Sequence, residues 1–347
     1  MRLDRISRVK RRGSAVSLSS TEERPQPQRI NRLQDALHHI IRRRGSFLPQ
    51  TMLVADQWKE YTVLDTSGGE KLERWGDYVL VRPDPQVIWT TKKTNAGWRK
   101  PNAHYHRSDR GGGEWEFFDL PKQWSIRYDP LDLTFLLKPF SFKHTGLFPE
   151  QAVNWSWFAK IIRDAKAKEP DRTIKVLNLF AYTGGATLAA ARAGAAVTHV
   201  DASKGMTQWA KENAAASGLS DAPIRWLVDD CQKFVEREIR RGNHYDAIIM
   251  DPPSYGRGPG GEVWKIEDAV HPLVATCKQL LSDKPLFFLI NSYTTGLQPA
   301  VLTYMLQLEV ASAFGGIVCS DEIGLPVKEG PVPGLVLPCG ASGRWMA

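Results

Sequence analysis

Val176-Leu177-Asn178-Leu179-Phe180-Ala181-Tyr182-Thr183-Gly184-Gly185 is an apolar strand that runs into a turn carrying two adjacent glycines. Without Cβ atoms, such a pair lets the backbone approach a ligand closely just before a helix begins. The same rhythm continues downstream. Apolar strands fit at 174–180, 196–200, 224–228, 245–250 and 286–290, with amphipathic helices between them at 186–192, 205–217, 232–241 and 265–281. Alternation at this spacing predicts an α/β fold with a mostly parallel sheet covered on both faces. A further helix near 299–310 precedes extended runs at 317–318 and 335–337, which read as a terminal antiparallel hairpin closing the sheet.

Upstream the pattern changes. Between residues 51 and 142, short stretches at 61–64, 78–82, 115–118, 124–128 and 133–137 are separated by Gly, Pro and Asp turns, with loop tips at Ser67-Gly68-Gly69 and Gly111-Gly112-Gly113. This is a small N-terminal β-rich domain. Residues 1–50 form a basic extension that reads as disordered, apart from a short helix at about 31–44. The division is therefore 1–50, 51–142 and 143–347.

Charge reinforces that division. The net charge of +8 looks like a nucleic-acid signal until it is located: residues 1–44 hold 12 basic and four acidic residues, and residues 45–347 carry 34 of each sign. The alkaline character belongs to the extension and says little about the partner of the folded body. An organellar presequence, an RNA-binding arm and a mis-assigned start all fit that extension. The longest uninterrupted apolar run, 286–290, is far too short for a bilayer, so no membrane partner is expected. Four cysteines, at 231, 277, 319 and 339, give neither a disulfide framework nor a zinc spacing. A reducing, cytoplasmic setting without metal is the expectation.

In open α/β sheets the ligand lies beyond the carboxyl ends of the strands, so the strand tips carry the chemistry. The second strand ends at Asp201, 17 residues after Gly184, where a carboxylate can accept both hydroxyls of a ribose. The third ends at Asp229-Asp230, placed to meet an exocyclic amine, and the fourth in Asp251-Pro252-Pro253-Ser254-Tyr255. A nicotinamide site shares the glycine turn and the downstream acid but requires G-x-G-x-x-G. Thr183-Gly184-Gly185-Ala186-Thr187 breaks that spacing, and a dehydrogenase has no need of Asp-Pro-Pro.

In these elements the chain resembles the class I S-adenosylmethionine-dependent methyltransferases, most closely the branch containing large-subunit ribosomal RNA base methyltransferases. The resemblance covers roughly residues 140–347. It rests on Lys143-His144-Thr145-Gly146-Leu147-Phe148-Pro149-Glu150-Gln151, Val176 to Gly185, Val200-Asp201-Ala202-Ser203 and Met250-Asp251-Pro252-Pro253. It implies a Rossmann-like sheet, S-adenosyl-L-methionine as cofactor and RNA, of ribosomal type, as substrate. Residue by residue, it implies that Phe180, Tyr182, Thr183, Gly184 and Gly185 pass beneath the methionine part of the cofactor. Asp201 would hold the ribose with Ser203 beside it, Asp230 and the N–H of Cys231 would meet the adenine, and Thr145, Gly146 and Phe148 would form a lid.

Asp251 and Pro252 form a rigid rim: consecutive prolines fix φ and remove N–H donors, leaving carbonyls and one carboxylate toward an amino or N–H edge. Tyr255 would stack on the base, although Ser254 separates it from the prolines where amino-methyltransferases of the family have the aromatic next to them. Relatives that methylate a pyrimidine C5 need a thiolate that adds to C6, on a Cys just after the fifth strand. Here that stretch is Asn291-Ser292-Tyr293-Thr294-Thr295-Gly296, so methylation of a nitrogen, or a hydroxyl, without a covalent adduct is expected. His104, Tyr105, His106 and Arg107 read as a solvated loop or a basic aromatic surface for RNA. The Gly-rich stretch at 256–261 reads as a mobile cover bringing Arg257 to a phosphate. A methyltransferase acting on a protein or small molecule, and a non-catalytic RNA-binding factor of the same fold, are the alternatives.

Overall fold

The computed structural model describes residues 52–347 except 109–111, 141–142, 258–262 and the side chain of Arg257. The basic extension and its expected helix lie outside the described residues. The β-rich part contains β1 (Met52–Val54), β2 (Tyr61–Ser67), β3 (Glu70–Trp75), β4 (Tyr78–Pro83), β5 (Ala103–Arg107), β6 (Gly113–Phe117), β7 (Trp124–Tyr128) and β8 (Leu133–Leu137). There follow α1 (Ala152–Lys168), β9 (Lys175–Leu179), α2 (Gly185–Arg192), β10 (Ala196–Asp201), α3 (Lys204–Ala216), β11 (Ile224–Val228) and α4 (Cys231–Arg240). The last third holds β12 (Ala247–Met250), β13 (Tyr255–Arg257), β14 (Val263–Lys265), α5 (Ile266–Cys277), β15 (Phe287–Ser292), α6 (Pro299–Leu306), β16 (Ile317–Pro326) and β17 (Val336–Met346).

The large sheet has the order β1-β16-β17-β15-β12-β9-β10-β11. Its pairs are parallel except where β17 runs against β15 and β16. Strands β12 and β15 are buried along their whole length, as parallel strands with both faces covered must be. The expected closing hairpin is present and much longer than its apolar runs, because β16 and β17 are edged by polar and small residues such as Ser320, Asp321, Gly340 and Ser342. Chain order reverses at β9, whose neighbours are β10 on one side and β12 on the other. A crevice opens beyond the carboxyl ends at such a reversal.

A second sheet, β2-β3-β4-β5-β6, is antiparallel except at β4–β5, and β7–β8 form a separate hairpin. Strands β2 to β8 pair among themselves, whereas β1 pairs with β16 in the large sheet and Val63 bridges to Val327. Residues 51–347 form one compact unit. Trp58, Tyr61, Trp75, Tyr128 and Phe135 from the β-rich part share a core with Trp155 and Phe158 of α1. The Trp58–Tyr128 and Phe135–Trp155 ring centroids are 4.6 and 5.3 Å apart. Full burial of each such side chain contributes about 1.5–3 kcal/mol. Helix α1 adds to the helices predicted as strand crossovers; it precedes the first parallel strand, and Trp155, Ala159 and Ile162 bury its inner face.

Candidate active site

The turn between β9 and α2 is strained and firmly held. Phe180 and Tyr182 have φ of 55° and 50°, and Gly184 has 88°. Non-glycine residues in this left-handed region cost about 1–2 kcal/mol each, and such strain persists only where the surroundings over-determine it. Those surroundings are explicit. Phe180 donates its N–H to Cys231 Sγ (3.3 Å), Ala181 to the Val200 carbonyl (3.1 Å) and Tyr182 to Asp201 Oδ2 (2.8 Å). Asn213 Nδ2 donates to the Thr183 carbonyl (2.9 Å), and the Thr183 hydroxyl donates to the Gly146 carbonyl (2.5 Å). The glycine pair is required by space as well: a Cβ on Gly185 would stand 2.6 Å from the Trp155 ring.

Asp201 therefore does structural work at the carboxyl end of β10. Its other oxygen accepts from the Ser203 N–H (2.8 Å), so each oxygen keeps one lone pair. Burial pushes its carboxyl above the ordinary range, against these two backbone bonds that favour the ionised form. Ser203 caps α3 through Met206 N (3.3 Å), and Asp230 caps α4 through Lys233 N (2.8 Å). The first-turn N–H groups of α4, beginning at Cys231, face the same end of the sheet and lack intrahelical partners.

The segment from Lys143 to Gln151 crosses above this turn. A Cβ on Gly146 (φ 96°) would lie 2.2 Å from the Trp209 ring, which is itself pinned by its Nε1 to the Leu136 carbonyl (2.9 Å). Among the described residues, the buried hydroxyls of Thr145 and Tyr182 have no hydrogen-bond partner. Phe148 packs 5.4 Å from Tyr182 and 5.6 Å from Tyr293, ring centre to ring centre. Together Phe148, Tyr182, Phe180, Gly185, Asp251 and Asn291 line a narrow cavity of about 50 Å³ over the carboxyl ends of β9, β12 and β15.

Asp251 is the predicted rim residue that reaches this cavity. Burial, and then the nearby Glu150, push its carboxyl up to about 7. The rest of the rim departs from expectation. The Pro253 carbonyl accepts from Trp264 Nε1 (2.7 Å) and the Ser254 carbonyl from Ile266 N (3.1 Å), so neither faces the site. Pro252 is buried, its role being to stiffen the strand end. Residues 258–261 of the expected glycine-rich cover lie outside the described residues; the flanking strands β13 and β14 pair antiparallel, and Tyr255 sits on β13 52% exposed, lining neither of the cavities that meet here. The intervening Ser254, bonded to the Thr294 hydroxyl, displaces Tyr255 from the prolines.

The aromatic that does reach the site is Tyr293, just past β15. Gln151 Nε2 donates to its hydroxyl (2.7 Å). Gln151 is in turn fixed by Asn154 and Asn291, whose side-chain amides both donate to its Oε1 (2.8 and 3.1 Å), and Arg344 Nε donates to Asn154 Oδ1 (2.9 Å). The stretch 291–296 was informative for more than its missing thiol: an aromatic at a strand tip was the available signal. A second cavity of about 300 Å³ shares Leu147 and Phe148 with the first and adds Glu150, Tyr293, His144, Lys143 and Cys339. The hairpin thus brings Cys339 to a cavity wall, where burial and then Glu150 push its thiol well up.

A family model for S-adenosylmethionine-dependent methyltransferases matches residues 90–281, more than half of the chain. The chain belongs to this family. A solved S-adenosylmethionine-dependent methyltransferase from Agrobacterium tumefaciens is 37% identical, with a TM-score of 0.76 over 87% of this chain and 97% of its own. A Streptococcus mutans structure, 18% identical with a TM-score of 0.61 over 96% of this chain and 83% of its own, shares the fold alone. Among curated proteins, ribosomal RNA large subunit methyltransferase K/L of Shewanella frigidimarina is 35% identical over 63% of this chain, and its namesake in Colwellia psychrerythraea 27% identical over 60%. The chain spans only 32% and 27% of the lengths of these two.

The site fits the cofactor of this methyltransferase family. Orphaned hydroxyls on Thr145 and Tyr182 can bond the polar methionine end, and the strained turn brings backbone against it. Asp201 would offer its remaining lone pairs to the ribose, and Asp230 with the first turn of α4 would border the adenine. We assign these roles, with those of Gly146, Phe148 and Ser203, as proposals from geometry.

Proposed function

We propose that the chain transfers a methyl group from S-adenosylmethionine to a base nitrogen in RNA, a hydroxyl being the other atom its chemistry admits, without a covalent enzyme–base adduct. The observation that carries this reading is the Asp251 carboxyl, set close to Glu150 and Tyr293 and poised near 7, on the wall of the narrow cavity that adjoins the larger one at Leu147 and Phe148. A carboxyl that ionises near neutral pH suits an amino or N–H edge: in its ionised form it only accepts, so it can orient the acceptor's lone pair and receive its proton. When bound, the cofactor supplies a methyl group on a sulfonium centre, so alignment and water exclusion are what the protein must add. Phe148 and Tyr293 provide the aromatic wall for a base. Their centres are too close for a base to slide between them, so a base packs across them.

Available thiols do not suit attack on a pyrimidine. Cys231 is engaged by the Phe180 N–H, Cys277 is fully buried in α5 and Cys319 is exposed on β16. Cys339 is on the wall, but its thiol is held against ionisation. RNA as acceptor, and ribosomal RNA in particular, draws on the names of the curated relatives. Mass-spectrometric mapping of RNA from cells with and without the protein tests the reading: one methylated base should vanish with the protein. A stable crosslink to 5-fluoropyrimidine RNA would overturn the non-covalent route. The neutral balance of residues 45–347 favours a second reading, a protein or small-molecule acceptor, in which label from the methyl donor enters those fractions instead.

A further inference from the structure

The 300 Å³ cavity continues outward into a larger one of about 590 Å³, the two sharing Pro83, Asp84, Pro85, Lys143 and His144. Tyr105 and Arg107 of β5 stand on the wall of the outer cavity. The cleft thus runs from the β-rich sheet, past Lys143, to the aromatic wall and on to Asp251. Its charges are unevenly matched at the narrow point. Glu73 takes Arg82 through Nε (2.6 Å) and a second nitrogen (2.9 Å), together with the Tyr61 hydroxyl (2.6 Å). Asp84 takes Lys71 (3.2 Å) and the Gln86 N–H (3.0 Å).

Lys143 is left over. Its ammonium donates to the Pro83 carbonyl (3.1 Å), and among the described residues it forms no salt bridge; nor does Arg107. Burial, and then Lys71 beside it, bring the Lys143 ammonium down to about 8, as befits a cation short of counter-charge. His144, pushed down to about 3 by burial and then Arg82, is neutral and adds no charge of its own. Glu150 also lines the inner cavity, but its neighbours are Lys71 and the Tyr293 hydroxyl. Lys143 and Arg107, which form no salt bridge among the described residues, stand in succession farther out, where an anion from outside can reach them.

We propose that this cleft holds the phosphodiester backbone of single-stranded RNA beside the methylated nucleotide, Lys143 contacting the phosphate nearest the base and Arg107 one farther out. The inference rests on the RNA reading above and names the residues that recognise the strand. It gives the β-rich part a role as one wall of the acceptor site.

The test uses the full chain and a fluorescein-labelled random-sequence single-stranded RNA 12-mer, followed by anisotropy across a salt series. Lys143→Gln should weaken binding by about tenfold, the size of a lost charge-assisted hydrogen bond. It should also flatten the log–log salt slope by about 0.7, the share of one phosphate contact on a single strand. Lys143→Arg should restore both, and Arg107→Gln should flatten the slope by a similar step. Calorimetric S-adenosylmethionine affinity and melting temperature of each variant establish that the fold and donor site are intact. Wild-type affinity and slope in Lys143→Gln and Arg107→Gln, with RNA still methylated by the wild type, would overturn the cleft and leave the function standing. A wild-type protein that neither binds the 12-mer nor methylates RNA overturns both.

Discussion

Asp251 and Asp201 are both half-buried acids at strand tips, but their partners separate their tasks. Asp201 holds two backbone N–H groups of the donor side, so Asp201→Ala is expected to weaken S-adenosylmethionine binding at least tenfold by calorimetry. Asp251 has no such bond, and Asp251→Asn should lower kcat while cofactor affinity changes little. With its carboxyl near 7, the wild-type rate should climb as pH rises through 7, a limb that Asp251→Asn removes. The stability sign is the opposite. A carboxyl raised in the fold favours the protonated state, so the stabilisation present below pH 4 is lost as pH rises to about 7, and the unliganded Asn variant should melt above wild type at pH 8. Tyr293→Ala should reduce kcat/KM by about 10–100-fold, the worth of one base–aromatic stack, and Tyr255→Ala by less than about twofold. These residues differ in legibility. Asp201 and Asp251 stand at strand tips that apolar runs locate, whereas Tyr255 against Tyr293 is decided by a single inserted serine and by which loop bends inward, which no local pattern encodes.

At the scale of elements, the parallel strands were legible because burial on both faces leaves uninterrupted apolar runs. Strand β3, Glu70-Lys71-Leu72-Glu73-Arg74-Trp75, was not, because its inward positions carry charge. Burial raises the Glu73 carboxyl, but Arg82 and Lys71 override it and hold the group at about 2. Glu73→Gln leaves Arg82 buried and uncompensated and should cost about 3–5 kcal/mol in urea unfolding at pH 7. The wild type should lose that advantage as pH falls from 4.5 to about 2. The lid is as intolerant: Gly146→Ala combines a left-handed backbone with a collision against the pinned Trp209, an expected loss of about 3 kcal/mol.

For the whole molecule, the aromatic core running from Trp58 through Tyr128 and Phe135 to Trp155 makes the β-rich part and the parallel sheet one cooperative body. Thermal unfolding followed by far-ultraviolet circular dichroism and by tryptophan fluorescence should coincide in a single transition, and Trp58→Ala should shift both probes together. Strand rhythm gave no sign of this shared core, since Trp58 and Trp155 lie about 100 residues apart in the chain and meet only through tertiary packing. The reversal of strand order at β9 has a consequence for how such an enzyme can diversify. Most of the positions proposed for the methyl donor hang from β9, β10 and the start of α4 on one flank of that seam, with the Lys143–Gln151 segment above them, while Asp251 and Tyr293 follow β12 and β15 on the other. Specificity can therefore drift, or be re-engineered, by rewriting the bank around Asp251 while the opposite bank goes on holding the same donor.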